Sequence, residues 1–410
     1  MAALASPAAE LGKTRHRTAS VGALVTGADY RALGAVRSLG RRGIPVWVLI
    51  GAEHVLAATS RYAARGLHWP HGDEHSQAEF LMKLGAEHNL DGWVLLPTDD
   101  AAVALTSRYH DVLSKQYHVT VPPWEELRWV FDKRLLYSVA RELGIAHPWT
   151  ACPHTRRELA SLPCPFPVVL KPAMRLELNR LTASKAWRVD DRQALLARYD
   201  EACTLVSPDM LMVQELIPGW GETQFSFAAL CRKGEVLASV VAGRRRQYPM
   251  DFGRFSTWVE TMDEPRVAEP AIRLLAALQF TGLAEVEFKK DPRDGQYNIL
   301  DVNPRVWGWH TLSSRAGVDF PYLLWLLVHG QPISEAHGRP GERWMRMPMD
   351  LAMAFHEMRR GRLSLREYVK PLLGPVESAI FAWDDPLPGL LEMPLLAWTL
   401  AKRAFGGGAV

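Results

Sequence analysis

The sequence predicts a chain of mixed α/β and α+β class: a Rossmann-like parallel-sheet domain first, antiparallel sheets after it, and a helical extension at the end. Three patterns carry this expectation. Apolar runs at 21–30 and 44–50 flank a segment of helical periodicity, β-rich runs meet at Lys233-Gly234, and a further pair meets between Pro292 and Gly295.

Residues 21–30 (VGALVTGADY) read as a buried strand entering a turn. Residues 31–42 read as a helix in which Leu33, Val36, Arg37 and Leu39 share faces, stopped by Gly43. IPVWVLI (44–50) completes a βαβ unit, which demands a parallel sheet with a right-handed crossover. A helix over 77–88 and the strand GWVLLPTDD (92–100) extend it. Gly22 and Gly27 do not form a GxGxxG fingerprint, so no dinucleotide is inferred. A helix follows over 124–143, closed by GIAHPWT with Pro148 as punctuation. Strands are expected at 166–171 (FPVVLK) and 211–217 (LMVQELI). A hairpin joins 223–231 to 235–243, a helix covers 264–279, and a last hairpin joins 282–291 to 296–305. The pattern weakens after about 340, where 349–360 and 390–405 read as helices. The expected division is a flexible arm (1–20), a Rossmann-like domain (21–123), a second domain (124–335) and a C-terminal extension (336–410).

Composition narrows the function. The 410 residues are 48% hydrophobic and 23% charged, the balance of an ordinary globular protein. A formal charge of +3 gives no reason to expect nucleic acid as a partner. No apolar run reaches the length of a membrane-spanning helix, and the N-terminal segment lacks the apolar core of a secretory signal. Cys152, Cys164, Cys203 and Cys231 form no CxxC pair and no zinc spacing, as for idle thiols in a reducing cytoplasm.

The strongest chemical signal is the last hairpin. Asp301 and Asn303 are two apart and so share a strand face, and a turn near 293–295 brings Glu287 opposite them. Two carboxylates and an amide oxygen in one place repel each other without a cation, and hard oxygens suit Mg²⁺. Glu285 shares the face of Glu287 and is an alternative ligand. Arg305 follows on the Asp301 side and can meet a phosphate or carboxylate in bidentate fashion. Lys171 ends an apolar strand, where a point charge suits phosphate, and Lys133 opens onto the same kind of role more weakly. Arg244 and Arg246 share a face if their strand continues, and one of them is expected to bind the substrate carboxylate or the phosphate. DFGRFST (251–257) reads as a flexible substrate loop.

The segments DKRLLYSVARELGIAHP, PVVLKP, VQELIPGWGE, GLAEVEFKKD and ILDVNPR, in this order, resemble the ATP-grasp superfamily over about residues 20–330, in its D-aspartate ligase and carbamoyl-phosphate synthetase flavour. The resemblance implies a pre-ATP-grasp domain followed by a two-lobed ATP-grasp domain. It implies an ADP-forming ligase that activates a carboxylate as an acyl-phosphate and joins it to an amine, with ATP and Mg²⁺ (or Mn²⁺) as cofactors. Carried over by position, Lys133 and Lys171 would contact phosphates, and Gln214, Glu215 and Ile217 would form the hinge strand against adenine. Glu222 would hold the ribose, Glu287, Asp301 and Asn303 would bind metal, and Arg305 would sit on the transferred phosphate. The segment after Lys171 lacks the family's phosphate-covering glycines, so Lys185 or Arg180 would take that place. Asp301 stands where glutamate is usual. The alternative to a ligase is a catalytically silent ATP-binding scaffold. The expected partners are a small carboxylate and an amine, and a homo-oligomer is expected. The apolar C-terminal tail is a helix packed on the body or one resting on a membrane surface.

Overall fold

The computed structural model describes residues 21–51, 54–174, 181, 186–248 and 255–405. Its N-terminal part is a parallel sheet in the order β3-β2-β1-β4-β5. The strands are β1 (Ala23–Thr26), β2 (Val46–Ile50), β3 (Ala63–His68), β4 (Trp93–Pro97) and β5 (Tyr117–Val119). Helices α1 (Tyr30–Gly40), α2 (Glu74–His88) and α3 (Asp100–Arg108) connect them. The chain moves outward from β1 to β3 on one side and from β4 to β5 on the other. The strand order therefore reverses between β1 and β4, the place where open α/β sheets leave a crevice.

A four-stranded sheet follows, in the order β6-β9-β7-β8. It comprises β6 (Thr150–Ala151), β7 (Val168–Pro172), β8 (Trp187–Val189) and β9 (Leu211–Glu215). An eight-stranded sheet then runs β14-β13-β10-β11-β12-β16-β17, with β15 (Ala336–His337) beside β11. Its long strands are β10 (Gln224–Arg232), β11 (Glu235–Tyr248), β12 (Phe255–Met262), β13 (Gly282–Lys290) and β14 (Tyr297–Asn303). The short edge strands are β16 (Arg343–Met345) and β17 (Glu377–Ser378).

The alternation of side chains along β10 and β13 positions the site. One face carries Phe225, Phe227, Ala229, Val286 and Phe288, all buried beneath the helices Trp124–Phe131, Lys133–Glu142 and Pro265–Ala277. Each such fully buried large side chain contributes about 1.5–3 kcal/mol relative to exposure. The opposite face is apolar at Ala228, Leu230, Val240 and Leu283, where the helix Phe320–Val328 and the tryptophans Trp307 and Trp309 cover it. Further along the same face the residues become Glu285, Glu287 and Lys289, opposite Ala228, Ser226 and Gln224. A covered sheet thus emerges into a charged cleft.

Three local expectations are revised. The helix expected over 124–143 is two helices, because Asp132 adopts an extended conformation and its carboxylate caps the second one through the Arg134 amide at 2.9 Å. β11 runs on to Tyr248 and so carries all three arginines within a strand. Residues 255–257 of the expected substrate loop belong to β12, while 251–254 lie outside the described residues.

The C-terminal extension is bolted to the body by buried ion pairs. Arg37 meets Asp385 at 2.9 Å, and that carboxylate also accepts from Ser60 and the Arg61 amide. Arg246 pairs with Asp350 through two bonds of 3.0 and 2.8 Å. The outer face of the extension exposes Leu390, Met393 and Trp398 of the helix Leu387–Phe405, together with Trp383 at 90% exposure. Among the described residues, no helix is long and apolar enough to cross a membrane. Asp350→Ala strands a buried guanidinium, so its unfolding free energy in urea is expected to fall by about 3–5 kcal/mol. A loss under about 1 kcal/mol would contradict this role for the pair.

Candidate active site

A cleft opens between the four-stranded sheet and the charged end of β13 and β14. Lys133, Lys171, Gln214, Glu215, Ile217, Glu287 and Asp301 line it, joined by Gln224, Lys289 and Leu300. Seven of the residues expected from sequence therefore meet in one place. The hairpin sets the acid end: Glu287 stands opposite Asp301, and Glu285 opposite Asn303. A bulge at Leu300 shifts the ladder between Glu287 and Phe288. It turns the Leu300 carbonyl toward Tyr137, whose hydroxyl donates to it at 2.8 Å.

Cations and amides already compensate the carboxylates. The Lys133 ammonium lies 2.8 Å from Asp301, which it reaches because Lys133 opens the helix capped by Asp132. Arg244 donates to Glu287 at 2.6 Å and to Glu285 at 3.1 Å. Asn303 donates to the same two carboxylates at 2.7 and 3.1 Å. Glu285 is only 2% exposed and also accepts from the Trp309 indole at 2.8 Å. Burial pushes its pKa up, with Arg244 opposing. Burial alone would lower the Arg244 pKa, but Glu287 and Glu285 outweigh it and the net shift is upward. The two glutamates differ in position. Glu287 faces the cleft, while Glu285 lies behind it and anchors Arg244 and Asn303.

The hinge strand is tied in by Gln214. Its carbonyl accepts from the Lys171 ammonium at 2.7 Å, and its amide nitrogen donates to Tyr137 at 2.9 Å and Thr150 at 3.0 Å. One polar chain thus runs from Lys171 through Gln214 and Tyr137 to the β14 bulge. The Glu215 side chain accepts from Arg293 at 2.6 Å, and its backbone pairs with Trp149.

Other expected residues lie elsewhere. Arg246 does not reach the cleft, because its guanidinium is spent on Asp350 and stacks on Trp258 and Tyr368. The shared face expected for Arg244 and Arg246 is interrupted by a bulge between them against β12. Glu222 is exposed and accepts from the Trp220 amide of its own loop at 3.2 Å, and it does not line the cleft. Arg305 follows the end of β14 and bridges Asp100 at 2.6 Å and Asn303 at 3.2 Å. Lys185 and Arg180 lie outside the described residues. Lys289 was missed by sequence reasoning. It is buried in the cleft wall and donates to the Gly219 carbonyl at 2.7 Å. Its signal was the two-residue spacing from Glu287.

Among the described residues, no three His, Cys, Asp or Glu side chains converge on one point. The available donor set is Glu287, Asp301 and the Asn303 amide, which suits Mg²⁺ with phosphate oxygens and water filling the remaining positions. Tyr137→Phe leaves the Leu300 carbonyl and the Gln214 amide short of a buried partner. Unfolding free energy is expected to drop by about 1–3 kcal/mol in urea titration. An unchanged midpoint would show that the polar chain is not structural.

Residues 207–347 match the family model described as "ATP-grasp in the biosynthetic pathway with Ter operon". The chain is 24% identical over 246 residues to a D-aspartate ligase of Enterococcus faecium (strain Aus0004), covering 55% of this chain and 57% of the relative. It is 22% identical over 158 residues to the carbamoyl phosphate synthase large chain of Methanothermobacter thermautotrophicus, covering 37% of this chain and 14% of that one. The chain thus spans just over half the length of the first relative and a small part of the second. Among solved structures, an L-amino acid ligase from Bacillus licheniformis superposes with a TM-score of 0.57 at 18% identity, over 74% of this chain and 73% of the other. The biotin carboxylase domain of Hydrogenobacter thermophilus 2-oxoglutarate carboxylase, a complex with ADP, its magnesium salt and bicarbonate, superposes with a TM-score of 0.61 at 14% identity, over 78% and 73% of the two chains. At such identities the superpositions establish the fold. The chain carries an ATP-grasp domain and is homologous to D-aspartate ligase and carbamoyl phosphate synthase.

Proposed function

We propose that the chain is an ATP-dependent, ADP-forming ligase that activates a carboxylate as an acyl-phosphate and condenses it with an amine. The observation that carries this reading is the facing of Glu287 and Asp301 across β13 and β14, in the cleft that also holds Lys133 and Lys171. A carboxylate and a triphosphate are both anions, so a site that joins them has to supply positive charge.

The residues divide that work. Gln214, Glu215 and Ile217 form the wall on which adenine would lie. Lys133 and Lys171 would move their ammonium groups from Asp301 and Gln214 onto phosphate oxygens. Glu287, Asp301 and Asn303 would hold Mg²⁺, with the Asn303 carboxamide turned so that its oxygen faces inward. The metal, when bound, neutralises phosphate charge and polarises the transferred phosphoryl group. Arg305, next to Asn303, is placed to steady the acyl-phosphate, and Arg244 holds Glu287 oriented through its 2.6 Å bond. Lys289 and Gln224 stand where the ribose or its nearest phosphate would rest. The silent-scaffold alternative has little support, because a module that only binds nucleotide has no need of a complete acid, amide and arginine set.

Addition of Mg²⁺ and ATP with candidate amino acids is expected to release ADP, followed by coupled spectrophotometry. Glu287→Ala is expected to lower the rate at least 100-fold, and chelation with EDTA to abolish it. Equal ADP release by Glu287→Ala would remove the proposed metal role. The exposed apolar row on the helix Leu387–Phe405 favours, in addition, peripheral contact with a bilayer. The chain is expected to sediment with phospholipid vesicles more than a variant in which Leu390, Met393 and Trp398 are replaced by serine, and equal sedimentation would argue against that contact.

A further inference from the structure

The reversal of strand order between β1 and β4 lies beside the metal-proximal end of β14, and charged side chains crowd the ends of both strands. Asp29 follows β1 and caps α1. Arg31 donates its Nε to Asp29 at 2.8 Å, and among the described residues its Nη atoms have no acceptor. Asp99 follows β4 and caps α3 with Oδ1 alone, accepting from the Ala102 amide at 2.9 Å. Its Oδ2 accepts no hydrogen bond among the described residues and lies beside Gly27, with Arg31 and Arg305 attracting the carboxylate electrostatically. Gly27 itself has φ +93°, and a Cβ there would meet the Thr98 hydroxyl oxygen at 2.5 Å. The two strand ends can approach this closely only because that side chain is absent.

The opposite wall comes from the other sheet. Arg346 follows β16, and its guanidinium lies 4.2 Å from the Tyr30 ring centre and 5.2 Å from that of Phe255. Its buried Nε is ion-paired with Glu392 at 3.7 Å, and its Nη atoms donate to no acceptor among the described residues. The Arg305–Asp100 bridge joins this crevice to Asn303. Arg346 thus lies on the Tyr30 ring, Arg31 follows Tyr30 in α1, and Asp99 attracts Arg31 electrostatically. Burial raises the pKa of that acid, which suits a group that accepts a proton.

We infer that the switch-point crevice binds the amine substrate as a free α-amino acid, its carboxylate held by Arg31 and Arg346 and its amino group by Asp99. This deepens the ligase reading and rests on it. The carboxylate that the arginines neutralise is not the one to be activated, so the amino acid is the acceptor. On coupling, the acceptor nitrogen bonds to the acyl carbon as the carbon–oxygen bond to phosphate breaks. The ammonium gives one proton to Asp99 before it attacks; phosphate leaves with that electron pair and takes the second proton from the newly bonded nitrogen.

The test uses the full chain with MgATP, a carboxylate donor panel, and common L- and D-amino acids alongside their carboxamides. Amino acids are expected to stimulate ADP release and the matching carboxamides to do so at least 10-fold less well. Arg31→Met, Arg346→Met and Asp99→Asn are each expected to raise the half-saturating amino-acid concentration at least 10-fold. Their affinity for MgADP, read by calorimetry, is expected to stay within twofold of wild type, which also reports that each variant is folded. Arg346→Lys is expected to recover part of the loss. Wild-type MgADP binding without stimulation by any amino acid, equal stimulation by carboxamides, or unchanged half-saturation in all the variants would overturn the inference and leave the nucleotide reading standing. Failure of the wild type to bind MgADP would instead remove the ligase reading itself.

Discussion

The pairing of β13 with β14 is the constraint on which the site depends. Antiparallel register sets Glu287 against Asp301 and Glu285 against Asn303, and like charges opposed across strands are unfavourable unless something neutralises them. The chain meets this with Lys133 on Asp301 and Arg244 on both glutamates. The balance is held by groups that can be exchanged. In the proposed reading, a phosphate draws Lys133 away and a divalent cation takes the place of the donors that now cover the acids. A site organised in this way is stable before its ligands arrive and still able to receive them.

The rest of the fold serves that register. Phe288, Val286 and Phe225 hold one face of the sheet under helices, so the strands cannot slip without burying charge. On the other face the change from Leu283 to Glu285 marks where the helix Phe320–Val328 stops covering the strands. The Tyr137–Gln214–Lys171 chain then ties the second sheet to the bulge in β14, which couples the proposed nucleotide wall to the proposed metal end.

Much of this was legible in the sequence, because short-range rules govern it. Spacing of two along ILDVNPR and a turn at Pro292–Gly295 were enough to bring Asp301, Asn303 and Glu287 together. Lys171 followed from its place at a strand end, and Gln214 from the family resemblance. Arg246 was misplaced because its partner Asp350 lies 104 residues further on, in a segment of weak periodicity, and a bulge beside it breaks the face shared with Arg244. The split at Asp132 was hidden because two helices that meet at a cap have almost the apolar pattern of one. Lys289 shared the spacing of Glu287, yet a lysine near a hairpin turn reads as solvated until the neighbouring loop is known to cover it. The Arg31–Asp99–Arg346 crevice joins three distant segments, which no local rule connects.

The most direct test of the central claim is a crystal structure of the chain with Mn²⁺ and ADP, read by anomalous scattering from the metal. The account predicts a metal peak between Glu287 and Asp301, with the Asn303 carboxamide oxygen toward it and Lys133 turned to the phosphates. A nucleotide bound elsewhere, or a metal peak away from these strands while Lys133 remains on Asp301, would contradict it.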